Sequence, residues 1–329
     1  MLLSAAFTAV LLGAGALSSE AADLEDSTPA PAVEPADTRP TIFGIPIGGA
    51  KFPERYVPPL TNPLFNETPF ITSEVRLIYL YNDIPDSFPT IAPGGGNIQA
   101  AAAQVRLKLT DRLGFIASKD GYVFGNFNSP ALEDEDGFVN IGGGLKYALY
   151  HNKETGSIVT IGGRLEFPVD TLSTAGGAVE FQGAGDGSFN PFITAATTLK
   201  GFGILDGVQL QGSAGANIAF DQQAETSIAH FSLHANYELF DNFYPLIEAN
   251  AFVPINRGER LSGPLAELDG VDLANFGSTS RDTTVTLGGG FRYRINNNAI
   301  FGAGAHAAVT ENDDSLLNWR VTADLAFNF

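Results

Sequence analysis

Basic side chains recur in this chain at every second position of segments that are otherwise apolar and small. In 284–295, Thr284, Thr286, Gly288, Gly290, Arg292 and Arg294 alternate with Val285, Leu287, Gly289, Phe291, Tyr293 and Ile295. A strand turns successive side chains to opposite faces, so the two arginines share the polar face. The same reading puts Arg76, Arg106, Lys108, Lys146, Arg164, Lys200 and Arg320 on the polar faces of other segments. Glu74, Glu166, Glu238, Glu248 and Asp324 fall on those faces too, so nine basic side chains meet five acidic ones, a surplus of four. If the segments close into a ring, with 316–329 beside 70–82, then Arg76, Arg106, Lys108, Arg292, Arg294 and Arg320 form one basic stripe. Such a stripe in a narrow pore concentrates anions. The opposite outcome is a network of Arg and Glu that fills a small lumen and conducts little.

Other chemistry finds little support. With no cysteine, neither a disulfide framework nor a zinc-thiolate site is available. His230 and His234 are four apart, the metal-pair spacing of a helix. On a strand they sit ~13 Å apart, so they read as polar lumen residues and no metal or cofactor is expected. Some 12-stranded barrels are lipid hydrolases, which need a serine and a histidine within hydrogen-bond reach and facing lipid. Here His230, His234 and His306 face the lumen and His151 lies in a turn, so no catalytic residue is assigned. The run Glu133–Asp136 lacks the alternating oxygen ligands and central glycine of a calcium loop. Gly142–Gly144 and Gly288–Gly290 lie inside strands and are not phosphate loops. Asn66-Glu67-Thr68 matches a glycosylation acceptor, a match that is uninformative here. A net charge of −19 argues against nucleic acid, because phosphate contacts need clustered cations.

The elements that must position the stripe are strands. Period-2 alternation recurs in twelve segments: 70–82, 97–110, 112–118, 137–150, 156–167, 189–199, 206–220, 226–240, 243–254, 282–295, 298–310 and 316–329. Many approach the ~10 residues that a tilted strand needs to cross a bilayer. The segment 112–118 is the weakest, which leaves 10 or 14 strands open. In the last segment Leu317, Trp319, Val321, Ala323, Leu325, Phe327 and Phe329 make an apolar face against Asn318, Arg320, Thr322, Asp324, Ala326 and Asn328. Connections alternate between longer (83–96, 119–136, 168–188, 255–281) and shorter, although two of the six outer ones are short. Outward aromatics sort by height: Tyr79, Tyr81, Phe167, Phe189, Phe220 and Trp319 near one rim, Tyr147, Tyr237, Phe291, Tyr293, Phe301, Phe327 and Phe329 near the other. Aromatic girdles around an aliphatic band suit a bilayer, whereas a soluble β-sandwich has no reason to sort aromatics by height. The expected fold is an all-β, antiparallel up-and-down transmembrane barrel over 70–329, with 12 strands.

Ahead of the barrel, 1–21 reads as a secretory signal peptide, although it lacks the usual basic residue before its apolar core. Residues 22–69 are acidic and proline-rich, with six prolines in 42–69. That last part is expected to lie against the periplasmic end or partly inside the barrel, where it would act as a plug.

This combination resembles bacterial outer-membrane β-barrel proteins. Asn62-Pro63-Leu64-Phe65, Phe70-Ile71-Thr72-Ser73-Glu74, Asp111-Arg112-Leu113-Gly114-Phe115, Gly144-Leu145-Lys146-Tyr147 and Tyr244-Pro245-Leu246-Ile247-Glu248 look like motifs of an uncharacterised porin-like family. A weaker likeness is to outer-membrane transporters of the phenol meta-pathway type. The resemblance implies a Gram-negative outer membrane, with lipids and lipopolysaccharide around the barrel. It implies that Phe329 is the signal read by the barrel-assembly machinery, that both termini are periplasmic and that the long loops are extracellular. The expected function is passive passage of small polar or anionic solutes. The alternative is a non-conducting structural or adhesion barrel that acts through its outer loops.

Overall fold

The computed structural model describes residues 41–329 except 43–44, 47–48, 50–51, 54–55, 170–171, 280–282 and 311–312. The expected signal peptide and the acidic stretch 22–40 lie outside the described residues. The strands in chain order are β1 (Thr41–Ile42), β2 (Ile45–Pro46), β3 (Glu74–Ile84), β4 (Gly96–Lys108), β5 (Leu113–Lys119) and β6 (Tyr122–Phe127). They continue as β7 (Glu135–Phe138), β8 (Ile141–Asn152), β9 (Ser157–Phe167), β10 (Leu172–Thr174), β11 (Val179–Gln182) and β12 (Ser188–Thr198). The last are β13 (Gln209–Ala219), β14 (Ser227–Asn236), β15 (Phe243–Asn256), β16 (Thr284–Asn296), β17 (Ala299–Ala308) and β18 (Trp319–Asn328).

Twelve of these close a single antiparallel wall, each beside its sequence neighbour: β3, β4, β5, β8, β9 and β12 to β18. The seam is the pairing of β18 with β3, running from Trp319 opposite Asp83 to Asn328 opposite Glu74. Closure leaves no open edge, the condition for a sheet to cross lipid. No helix of the described residues is long and apolar enough to cross a membrane, so any crossing is made by strands.

The alternation of residue types becomes an alternation of environment. Along β18, Trp319, Val321 and Phe327 are exposed outward, while Arg320, Thr322, Asp324, Ala326 and Asn328 are buried inward. Exposed apolar side chains cover the outside, among them Leu145, Ile161, Leu165, Ile247 and Leu287. The rim aromatics touch across strands, as Tyr81 and Trp319 do at 5.5 Å and Phe243 and Phe291 do at 5.5 Å between ring centroids. An apolar exterior around a charged interior inverts a soluble barrel and identifies a membrane one.

Three features depart from the sequence expectation. The first wall strand starts at Glu74 rather than at Phe70. The ring of Phe70 turns inward to lie 4.2 Å from that of Tyr56. Leu317 is fully buried with Phe65, Phe252 and Val271 instead of facing outward. The stretch 119–136, expected as a loop, carries β6 and part of β7. There β4 pairs with β5 through Val105–Lys108 and with β6 through Gly96–Ala101, so its partner strand is broken at Asp120-Gly121. Gly121 has φ +133, a conformation that side chains disfavour, and Asp120 accepts the unpaired Ala103 N–H at the break. The 168–188 loop likewise holds the β10–β11 hairpin.

Candidate functional site

The lumen is occupied by the chain's own segment 52–70, which is buried along nearly its whole described length. Its two ends meet an apolar ring near the short turns. Phe52, Tyr56, Val57 and Phe70 pack there with Ala148, Ile158, Ala196, Tyr244, Ile300 and Ala326. Its middle is held by polar groups of the wall.

The logic of that middle follows from proline. Pro53, Pro58, Pro59, Pro63 and Pro69 have no N–H, so the segment carries more carbonyl acceptors than donors. Arginine and lysine bring donors only. Arg292 donates to Pro58 O (2.9 Å) and Pro59 O (2.6 Å), and Arg76 also donates to Pro59 O (2.8 Å). Arg294 donates to Pro53 O (3.1 Å) and Tyr56 O (2.9 Å), Lys146 to Thr68 O (2.8 Å) and Arg164 to Leu64 O. Neutral wall donors continue the pattern: Gln104 to Pro63 O (2.8 Å), Thr160 to Pro69 O (2.7 Å) and Thr194 to Glu67 O (2.8 Å).

Where the plug does offer N–H groups, the wall supplies a carboxylate. Glu248 accepts from Leu60 N (2.7 Å), Thr61 N (2.6 Å) and the Thr61 hydroxyl, and pairs with His234 Nδ1 (2.7 Å). The remaining charge is balanced within the lumen. Asp324 lies between Arg76 and Arg292, and Glu67 of the plug takes a bidentate pair from Arg106 (2.8 Å and 2.8 Å) and Lys146 (2.9 Å). Glu74 meets Arg106 at 2.9 Å. A buried cation needs such partners, because leaving one alone costs several kcal/mol.

The small wall residues, which at first sight leave space, are filled against. A Cβ on Gly302 would come within 2.5 Å of the Arg292 guanidinium, and one on Gly304 within 2.9 Å of Leu60 of the plug.

Seven of the basic residues singled out by alternation are therefore buried inside: Arg76, Arg106, Lys146, Arg164, Arg292, Arg294 and Arg320. Lys108 sits half-buried at the rim and pairs with Asp111 at 2.6 Å. Lys200 lies exposed in a turn and donates to Glu154 O (2.9 Å) rather than facing the lumen. Of the acids, Glu166 pairs with Lys119 and accepts from Asn140 (2.8 Å), while Glu238 at the rim accepts from the Tyr244 hydroxyl (3.0 Å). Phe329 is exposed at the end of β18 and accepts a 2.7 Å hydrogen bond from Gly49 N–H. His230 Nε2 accepts from the Asn190 amide (2.9 Å) and its ring stacks on Phe65 at 4.5 Å, and His234 is committed to Glu248. No three His, Cys, Asp or Glu side chains of the described residues are grouped to hold a metal.

Alternation misses Glu67, Lys119 and Asp272. Asp272 comes from the loop 255–281 and reaches Arg320 through two hydrogen bonds (2.8 and 2.7 Å). Burial raises the Asp272 carboxyl, but the Arg320 guanidinium outweighs it and holds the group below the usual carboxylate range. Above the plug the outer loops form a cap with its own apolar core. Phe88, Leu172, Val179, Phe181, Leu268 and Phe276 pack there with Ile84, Ile98, Phe127, Leu132 and Leu316 from the strand ends and loops.

The chain matches no family model and no curated protein. It is similar in structure to an outer-membrane channel from Pseudomonas putida F1, with a TM-score of 0.51 and 12% identity over 83% of this chain and 100% of the other. That likeness is one of fold. The NanC porin (TM-score 0.46, 8% identity, 78% of this chain and 100% of that one) is also similar. So is the transport unit of the autotransporter AIDA-I from Escherichia coli (TM-score 0.49, 11% identity, 78% of this chain and 90% of that one).

Proposed function

We propose that this protein is a porin-like channel of the bacterial outer membrane whose lumen is gated by its own N-terminal segment. One observation carries the reading: three arginines of the basic stripe, Arg76, Arg292 and Arg294, donate to the plug's backbone carbonyls, groups that a solute or water can replace. With the segment seated, the stripe is masked. With the segment withdrawn, the cations line an open wall and favour small anionic or polar solutes. Transport is passive and no residue is assigned a catalytic role. The long loops lie outside the cell and both termini in the periplasm. Phe329 serves the barrel-assembly machinery, and lipids and lipopolysaccharide surround the wall. The fold shared with the Pseudomonas putida F1 outer-membrane channel supports this reading.

Planar-bilayer recording tests it with the full chain and a chain lacking 42–69. The truncated barrel is expected to give larger, longer-lived and anion-selective steps. A truncated barrel that is folded yet shows no steps, or cation-selective ones, refutes the proposal.

A further inference from the structure

Between the tip of the plug and the loop cap lies a small, partly open cavity. It is bordered by Phe65 of the plug, Asn140 and Glu166 of the wall region, and Phe181 and Glu225 of the loops. Its hydrogen-bonding inventory is unbalanced. Glu225 is only 4% exposed and forms no ion pair among the described residues, its one donor there being the Gly185 N–H. The nearest cations are already committed, Lys119 to Glu166 and Arg260 to Glu180 (2.6 Å). Asn140 is 3% exposed, its amide N–H₂ donates to Glu166, and its Oδ1 has no partner among the described residues. Buried acceptors left in this state cost about 1–3 kcal/mol each, more when charged, unless a donor arrives. The Asp272–Arg320 pair on the other side is closed and offers none.

We infer that this cavity is a binding site for a small organic cation with a primary ammonium group. The ammonium N–H groups would satisfy the Glu225 carboxylate and Asn140 Oδ1. The Phe65 and Phe181 rings would cover the alkyl part and attract the charge. The carboxylate count supports a monovalent cation: Glu166 is neutralised by Lys119, which leaves Glu225 alone to be matched. Because Phe65 of the plug borders it, the site is complete only with the segment seated; the inference does not depend on conduction.

Calorimetric titration of the full chain in detergent micelles with n-butylammonium chloride tests the inference. Saturable binding is expected, and Glu225→Gln, which keeps the shape of the side chain, should weaken it by about tenfold or more, the worth of a charge-assisted hydrogen bond. Tetramethylammonium, which has the charge but no N–H, should also bind about tenfold more weakly to the unaltered protein, and butyrate should not compete. Absence of saturable binding, equal affinity for tetramethylammonium, or unchanged affinity in a folded Glu225→Gln protein overturns the proposal. Should that variant fail to fold, the comparison of the two cations on the unaltered protein decides alone.

Discussion

The barrel is closed twice, and by different physics. The midsection of the plug sits on guanidinium, ammonium and carboxylate groups that hold backbone atoms. The cap is closed by Phe88, Phe181, Leu268, Phe276 and their neighbours, which exclude water from one another. Burial of apolar area is non-directional and tolerates rearrangement. A buried polar seat is directional, and it fails when one member is removed because the others are then left charged and unpaired. The plug should therefore release as a unit in response to single changes in charge, whereas the cap should loosen gradually.

The sharpest way to break this contrast is Asp324→Ala. It strands Arg76 and Arg292 in the lumen without their carboxylate, at a cost of about 3–5 kcal/mol. Limited proteolysis at the end that carries the short turns should then cut within 52–70, which the unaltered protein should protect. Equal protection would mean that the apolar ring around Tyr56, not the polar seat, retains the segment. Leu268→Ala comes next, at about 2–4 kcal/mol for a cavity in the cap core. Hydrogen exchange should quicken in the outer loops and leave 56–69 as slow as before; acceleration of both would show that cap and plug open together.

The smallest effect concerns Glu225. Burial, and after it the charge of Glu166, raises its carboxyl from 4.5 to about 7, an effect the Gly185 N–H and the nearby cations partly offset. Over that interval the folded state binds the proton more tightly than the unfolded chain, so stability falls as pH rises from 4.5 through about 7. Glu225→Gln should remove that fall. Its outer loops should resist protease better than those of the unaltered protein at about pH 8 and equally well at about pH 4. No difference at the higher pH would place the carboxyl in contact with water.

The wall is readable in the sequence because each wall residue faces one of two opposed environments, so period-2 alternation encodes both register and side. That is why 284–295 and 316–329 can be placed nearly to the residue, and why seven of the cations can be assigned to the inside. The pattern misleads at Phe70 and Leu317. The alternation continues through both, but the chain there has already left the sheet. The plug's contacts leave no trace at all. Carbonyl groups are common to every residue, so recognition of Pro58, Pro59 and Thr68 by their backbone has no signature in side-chain type. Glu67 is hidden for a related reason, an acid in an aperiodic stretch with no strand to say which way it points. The break at Asp120-Gly121 does have a signal, a turn-forming pair inside an apolar run, set against a pattern of otherwise unbroken strands.

The prolines of 52–70 have a consequence for how the barrel is made. A twelve-stranded wall can close in one way only if assembly starts at the right strand. A segment threaded through the lumen lies within reach of open edges while the wall forms. Because Pro53, Pro58, Pro59, Pro63 and Pro69 cannot donate to a ladder, the segment cannot be recruited as a thirteenth strand. It stays a guest, and Glu74 stays the place where the wall begins.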